Sequence, residues 1–241
     1  MSFVRSAVFN LAAFVWTALL LIAFLPLLAA PRRTLHRAVR WWTHTIFFLQ
    51  RRILALDFEF RGRGNLPAGR CIVASAHQSA WDTVGFYAVI EDPVFVLKKE
   101  LYRIPLFGIY ARRCGMVAID RRGGAGSARA MLREVSARLA EDRPVIIFPG
   151  GTRSRPDDVV DLKSGIGAIY RHSGVPVVPV SLNSGVFWGR RSFVKRPGRI
   201  VAEFGEPILP GLSPDAFADA LSQQIHDGNR RLVAEARRGL R

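Results

Sequence analysis

A histidine and an aspartate stand five residues apart, His77 and Asp82, in the stretch Ser75-Ala76-His77-Gln78-Ser79-Ala80-Trp81-Asp82-Thr83, just after the apolar run Cys71-Ile72-Val73-Ala74. With a reference pKa of about 6.5, an imidazole is the natural proton acceptor at neutral pH. A carboxylate that accepts a hydrogen bond from one ring nitrogen fixes the tautomer, frees the other nitrogen and stabilises imidazolium as it forms. Such a base contributes about 10²–10⁴-fold to a rate. On one continuous helix the two side chains would point about 140° apart, so the pairing requires His77 to lie outside the helix. Ser79-Ala80-Trp81-Asp82 supplies that condition as a capping-box pattern ahead of the apolar stretch 84–90. It makes Ser79 the N-cap, Asp82 the third helical residue and His77 part of the entering loop. A second reading is a capping Asp82 beside an incidental strand-end histidine, and on these residues alone the two stand level. No second histidine or acidic cluster stands at metal-ligand spacing, and no GxSxG elbow marks a serine hydrolase.

Three further stretches lie where strands end, the place at which α/β sheets bind ligands. One is Gly115-Met116-Val117-Ala118-Ile119-Asp120-Arg121-Arg122, a strand running into two arginines. Another is Phe148-Pro149-Gly150-Gly151-Thr152-Arg153, a strand followed by a glycine turn, a hydroxyl and an arginine. The third is Val175-Pro176-Val177-Val178-Pro179-Val180. Glycines let backbone N–H groups approach an anion, and arginine grips phosphate with a planar fork. Arg121 and Arg153 are therefore the candidate phosphate ligands, against the plain alternative of solvated loop charges.

The elements that must position these groups follow from hydrophobic patterning. Strands are expected over 58–61, 70–74, 94–97, 116–119, 145–148, 177–182 and 200–204. Helices are expected over 79–90, 106–114, 126–141, 164–172 and 214–238. Strands alternating with helices predict an α/β domain with a mixed, largely parallel sheet flanked by helices. The texture changes near residue 57, which divides the chain into N-terminal membrane-associating helices over 1–57 and one α/β domain over 58–241.

The N-terminal part explains the composition. The chain has 241 residues, 49% of them hydrophobic, and a formal net charge of +16. Its mean hydropathy is +0.15 and its pI about 11.3. That charge suits nucleic acid, an anionic membrane leaflet or phosphorylated substrates. Cys71 and Cys114, each beside an apolar run, read as buried free thiols, and no zinc spacing supports a zinc-finger route to nucleic acid. Residues 7–30 carry no charge and are long enough to cross a hydrocarbon core. Arg5 before the run and Leu28-Ala29-Ala30 at its end fit a signal peptide. However, the stretch exceeds a signal core and Pro31 would follow the cut, so a retained anchor is expected. Arg32, Arg33, Arg37 and Arg40 follow and would prefer an anionic cytoplasmic face. The aromatic-rich run 41–56 then reads as interfacial. Either one spanning helix precedes a surface helix, or a helical hairpin lies in one leaflet. His36 and His44, without acidic neighbours at ligand spacing, read as interfacial bystanders.

In their order and spacing these stretches resemble the glycerolipid acyltransferase family, specifically bacterial 1-acyl-glycerol-3-phosphate acyltransferases. The family's HxxxxD block is matched by His77 and Asp82. Its block from KxxL to IDR is similar to Lys98-Lys99-Glu100-Leu101, Ile104-Pro105, Gly108, Gly115 and Ile119-Asp120-Arg121. FPEGTR is similar to residues 148–153, and VPVxPV to residues 175–180. The resemblance implies a glycerol-3-phosphate acyltransferase-like fold. It also implies transfer of an acyl group from acyl-CoA or acyl-carrier protein to the sn-2 hydroxyl of a lysophospholipid, giving phosphatidic acid. His77 would be the base, Asp82 its orienting carboxylate, and Arg121, Gly151, Thr152 and Arg153 the phosphate-binding residues. No metal, cofactor or acyl-enzyme is implied. The partners implied are the two substrates and an anionic membrane, at the bacterial inner membrane with the catalytic domain on the cytoplasmic side.

The sequence departs from that pattern at two positions. Gly150 replaces the usual glutamate, and Ala76 stands where asparagine often precedes the histidine. Loss of the carboxylate at 150 leaves a more flexible Gly150-Gly151 turn. The expectation is weaker acceptor binding with the dyad chemistry intact. Another lyso-lipid acceptor, such as a lyso-ornithine lipid, and a non-catalytic basic membrane-binding relative are the alternatives. The basic cluster Arg190, Arg191, Lys195, Arg196 and Arg199, beside Trp188 and Phe193, reads as a membrane-facing patch rather than a nucleic-acid surface. Asp157, Asp158 and Asp161 read as a polar loop, offset by Lys163.

Overall fold

The computed structural model describes residues 2–120 and 123–239. Seven strands form one sheet: β1 (Leu56–Arg61), β2 (Ile72–Ser75), β3 (Val94–Lys98), β4 (Val117–Ile119), β5 (Val145–Ile147), β6 (Val177–Leu182) and β7 (Gly198–Phe204). Their order across the sheet is β1-β7-β6-β2-β5-β3-β4. Every pairing is parallel except β6 with β7, so β1 and β7 run against the other five. The central strands β2, β5 and β6 are buried along their whole length. Burial on both faces explains their continuous apolar runs, where a half-exposed strand would alternate.

The covering helices are α3 (Trp81–Val89), α4 (Phe107–Arg113), α5 (Gly124–Ala140), α6 (Ser164–Ser173), the short α7 (Ser184–Phe187) and α8 (Pro214–Arg238), numbered after two N-terminal helices. Helix α8 starts where Ser213 Oγ accepts from Ala216 N at 3.3 Å, with Pro214 as its first residue. Phe217, Leu221, Ile225 and Leu232 form the stripe it buries. Within that stripe Asn229 Oδ1 accepts from Leu182 N at 2.8 Å, satisfying a β6 donor.

The N-terminal helices, α1 (Ser2–Ala23) and α2 (Arg32–Leu54), pack antiparallel. Arg5 Nε donates to Ile53 O at 2.5 Å, Trp16 Nε1 to Thr45 Oγ1 at 2.7 Å and Trp42 Nε1 to Thr17 Oγ1 at 3.0 Å. Phe9, Leu35, Phe47 and Leu54 join the same hydrophobic core as the sheet. Helix α1 is long and apolar enough to cross a membrane by length and composition. Phe3, Val4, Val8, Leu11, Phe14 and Ile22 on it are exposed, as are Trp41 and Phe48 on α2.

His36 is not an interfacial bystander. It is buried, with Nε2 2.9 Å from Asp92 Oδ1, and buried Arg143 reaches the same oxygen at 2.9 Å. Arg32 adds 3.1 Å to Asp92 Oδ2 and 2.6 Å to Glu141. The carboxylates come from loops 56 and 105 residues further along the chain, beyond any local spacing rule. Two of the four arginines thus face protein: Arg32 in this network, and Arg40 with Nη2 donating to Ala88 O at 3.2 Å. His44 is exposed.

Candidate active site

Strand β2 ends at Ser75, and Ala76 N still donates to Val180 O on β6 at 3.0 Å. The chain then leaves the sheet, placing His77 on a loop before α3. Asp82, in the first turn of α3, is fully buried at 0% exposure. Its Oδ2 accepts from His77 Nδ1 at 2.9 Å, Gln78 N at 2.7 Å and Ser79 N at 2.8 Å. Its Oδ1 accepts from Ser184 Oγ at 2.6 Å. A carboxylate accepts only, so Nδ1 carries the proton and Nε2 keeps its lone pair. The capping box forms by half. Asp82 returns to Ser79 N–H, but Ser79 Oγ accepts from Trp81 N at 3.1 Å, and the helix begins at Trp81 with Ala80 as N-cap.

The imidazole is further held by its surroundings. It stacks on Phe148 with ring centroids 4.0 Å apart and planes at 21°. Ser154 N donates to His77 O at 2.8 Å. Gln78 Nε2 donates to Leu182 O at 2.9 Å while Gly185 N donates to Gln78 Oε1 at 2.9 Å. A Cβ on Gly185 would lie 3.0 Å from Gln78 Cβ and 2.9 Å from Pro156, so that approach requires glycine.

His77, 14% exposed at its side chain, opens onto a cavity of about 1080 Å³. Gly151, Thr152 and Arg153 line it too, after β5. Their turn closes with Gly151 N donating to Phe148 O at 2.8 Å, and Gly151 has φ 69°, the left-handed region that glycine occupies without strain. Asp82 lies behind His77, away from the cavity. Arg121 falls outside the described residues. Lys98, at the end of β3, lines the same mouth, as do Arg190 and Arg191. This revises the sequence reading, which had given those two arginines only to a membrane patch. Lys195 from the same cluster is buried, and its Nζ reaches Asn10 Oδ1 at 2.5 Å on α1. Lys163 pairs with Asp161, as the offsetting of that loop's charge anticipates.

The far walls of the cavity are apolar, with Leu20, Phe24, Trp42, Phe95, Met131 and Ile169 among them. Burial pushes the Cys114 thiol, on the wall, up to about 12 and the Tyr87 phenol well above its ordinary range. Neither ionises near neutral pH. Both cysteines are free and buried. Ser184 and Phe148 went unseen as dyad supports in the sequence. Phe148 carried one usable signal, its place at the end of β5 beside β2, whereas Ser184 carried none.

A mixed α/β sheet thus holds a histidine–carboxylate pair beside a cavity lined by both cationic and apolar side chains. The acyltransferase family model matches residues 57–183. The chain is 31% identical over 222 residues to a 1-acyl-sn-glycerol-3-phosphate acyltransferase of Pseudomonas aeruginosa, covering 90% of this chain and 85% of that one. It is 29% identical to a lyso-ornithine lipid O-acyltransferase of the same organism, over 61% of this chain and 54% of that one. Its fold is that of the 1-acyl-sn-glycerophosphate acyltransferase PlsC of Thermotoga maritima, with a TM-score of 0.75 over 96% of this chain and 95% of that one, at 24% identity. The chain belongs to the acyltransferase family.

Proposed function

We propose that this protein acylates the sn-2 hydroxyl of 1-acyl-glycerol-3-phosphate from acyl-CoA or acyl-carrier protein, forming phosphatidic acid at a membrane surface. One observation carries the reading: a carboxylate-held histidine lines a cavity whose walls combine the cations Lys98, Arg153, Arg190 and Arg191 with a long apolar surface. A substrate matching that cavity carries an anionic head and a long hydrocarbon chain. The similarity to the Pseudomonas enzyme supports the acceptor.

In the proposed reaction His77 Nε2 takes the proton of the sn-2 hydroxyl. The oxygen attacks the thioester carbonyl carbon, and the C–S bond breaks as the tetrahedral intermediate collapses. The departing thiolate takes the proton back from imidazolium, so no acyl-enzyme forms. Asp82, with its four hydrogen-bond donors, remains a carboxylate and stabilises imidazolium in between. Arg153, Thr152 and Arg121 hold the acceptor phosphate.

The helices support a hairpin lying in one leaflet. Helix α1 is tied to the domain at both ends, through Lys195 N donating to Ser6 Oγ at 2.9 Å and Tyr110 Oη donating to Leu21 O at 2.8 Å. Such a helix lies along the protein's surface with its apolar side outward. We place it on the cytoplasmic leaflet of the bacterial inner membrane, which the exposed Arg33 and Arg37 favour.

A second reading changes only the acceptor. Gly150 lines the cavity, at the position where the resemblance implies a glutamate, and a lyso-ornithine lipid is the alternative. Purified protein given a panel of lyso-acceptors decides. Phosphatidic acid from lysophosphatidate supports the first reading. Turnover of another lyso-lipid alone supports the second. No turnover of any acceptor would leave a non-catalytic relative.

A further inference from the structure

We infer that Arg190 and Arg191 form a second phosphate-binding element of the active site, which receives the phosphorylated arm of the acyl donor. This rests on the reaction proposed above and adds a subsite to it. The sheet order sets His77, at the end of β2, between two groups of cations. On the β5 and β3 side stand Arg153 and Lys98. On the β6 side, the connection to β7 brings α7 against the dyad through Ser184 and Gly185, and Arg190 and Arg191 follow on the same cavity wall. An acyl transfer joins two anionic substrates at one base, with the hydroxyl and the thioester carbonyl approaching from different directions. If Arg153 and its neighbours hold the acceptor phosphate, the arginines on the other flank are free for the donor.

Three observations bear on this pair. Among the described residues neither arginine has a carboxylate partner or a side-chain hydrogen bond, a state that Arg33 and Arg37 share, so what sets the pair apart is its place on the cavity wall. The loop is fixed before any ligand arrives: Ser192 N donates to Gly189 O at 3.1 Å and Arg196 N to Phe187 O at 2.9 Å. Arg191 has φ 56°, a left-handed conformation that a residue with a side chain holds only where its surroundings impose it. Unpaired guanidinium groups carried on a fixed stretch of backbone at a cavity wall suit bidentate capture of phosphate. Both CoA and carrier-bound phosphopantetheine carry phosphate, whereas a pantetheine thioester lacks it.

The test compares the full chain with the R190Q/R191Q double variant, by calorimetric titration of free CoA and by kinetics with acyl-CoA, acyl-carrier protein and acyl-pantetheine. CoA binding should weaken, and the acyl-CoA KM should rise, by about tenfold or more. The kcat and the KM values for lysophosphatidate and acyl-pantetheine should stay within about twofold, since neither interaction uses these arginines. A rise with acyl-CoA alone assigns the nucleotide phosphates; a rise with both phosphorylated donors assigns the phosphopantetheine phosphate. Unchanged CoA binding, an equal loss with acyl-pantetheine, or a rise confined to the lysophosphatidate KM overturns the inference. The CoA titration needs no turnover. A wild-type protein that binds CoA through these arginines yet acylates no lysophosphatidate would sink the proposed reaction and leave this subsite standing.

Discussion

His77 is restrained from three directions: Asp82 at Nδ1, Phe148 on one face, and Ser154 on its main-chain oxygen. Asp82 is restrained in turn by Ser184, which arrives from 102 residues further along the chain. Ser184→Ala removes one bond to the carboxylate and none to the substrate. Its kcat should fall by about tenfold with KM unchanged, as for a lost charge-assisted hydrogen bond; a rise in KM at constant kcat would contradict this positioning role. Gly150 offers a gain instead. A Cβ there would meet Val160 Cγ1 at 3.3 Å, a nudge inside normal contact, with Asp161 O and Thr152 O at 3.7 and 3.9 Å. Gly150→Glu should therefore fold and lower the acceptor KM, and no change in either kinetic constant would refute it. The spacing allowed the contact between His77 and Asp82, because a loop followed by a helix start turns five residues into one hydrogen bond, but it left a plain capping aspartate equally open. Ser184 was not, because tertiary packing alone brings it there.

At the scale of elements, the seven strands stood out because burial on both faces writes them as short apolar runs. The reversed direction of β7 left no such mark, since a ten-residue irregular connection, 188–197, separates it from α7 in place of a tight hairpin turn. Equally hidden was the attachment of α2 to the domain through His36, Arg32, Asp92 and Arg143. Burial works against ionising Asp92, but the hydrogen bond from His36 and the charges of His36, Arg143 and Arg32 outweigh it, holding the carboxyl below its ordinary 3.8. A depressed folded-state pKa contributes stability above the unfolded value and loses it as pH falls through the folded one. Thermal stability should thus drop on acidification below about pH 4, and Asp92→Asn should flatten that limb. Asp92→Ala leaves buried Arg143 with only Glu141, at 3.6 Å, as a carboxylate neighbour and should lower stability by about 3 kcal/mol at neutral pH in denaturant titration. A loss under about 1 kcal/mol would show the network to be solvated instead.

Over the whole molecule, the proposed membrane placement has a +16 charge and an outward apolar helix acting together on an anionic bilayer. Leu11 and Phe14 are 67% and 74% exposed, so replacing both with glutamate should leave the fold unchanged by circular dichroism. Association with anionic vesicles should weaken by about tenfold or more, from lost apolar contact and added repulsion. Unaltered flotation with vesicles would remove α1 from the membrane contact. The hydropathy of residues 7–30 made a long apolar helix legible, but it did not reveal that α1 is tied along its length to the domain.

The central claim is that one histidine, held by a buried carboxylate, is the base for acylation of a lysophospholipid. The most direct measurement is the rate of phosphatidic acid formation from lysophosphatidate and labelled acyl-CoA, for the wild-type protein beside His77→Ala. The wild type should turn over, and the variant should be slower by about 10²–10⁴-fold with its fold and its CoA binding intact. Equal rates in the two proteins would contradict the account.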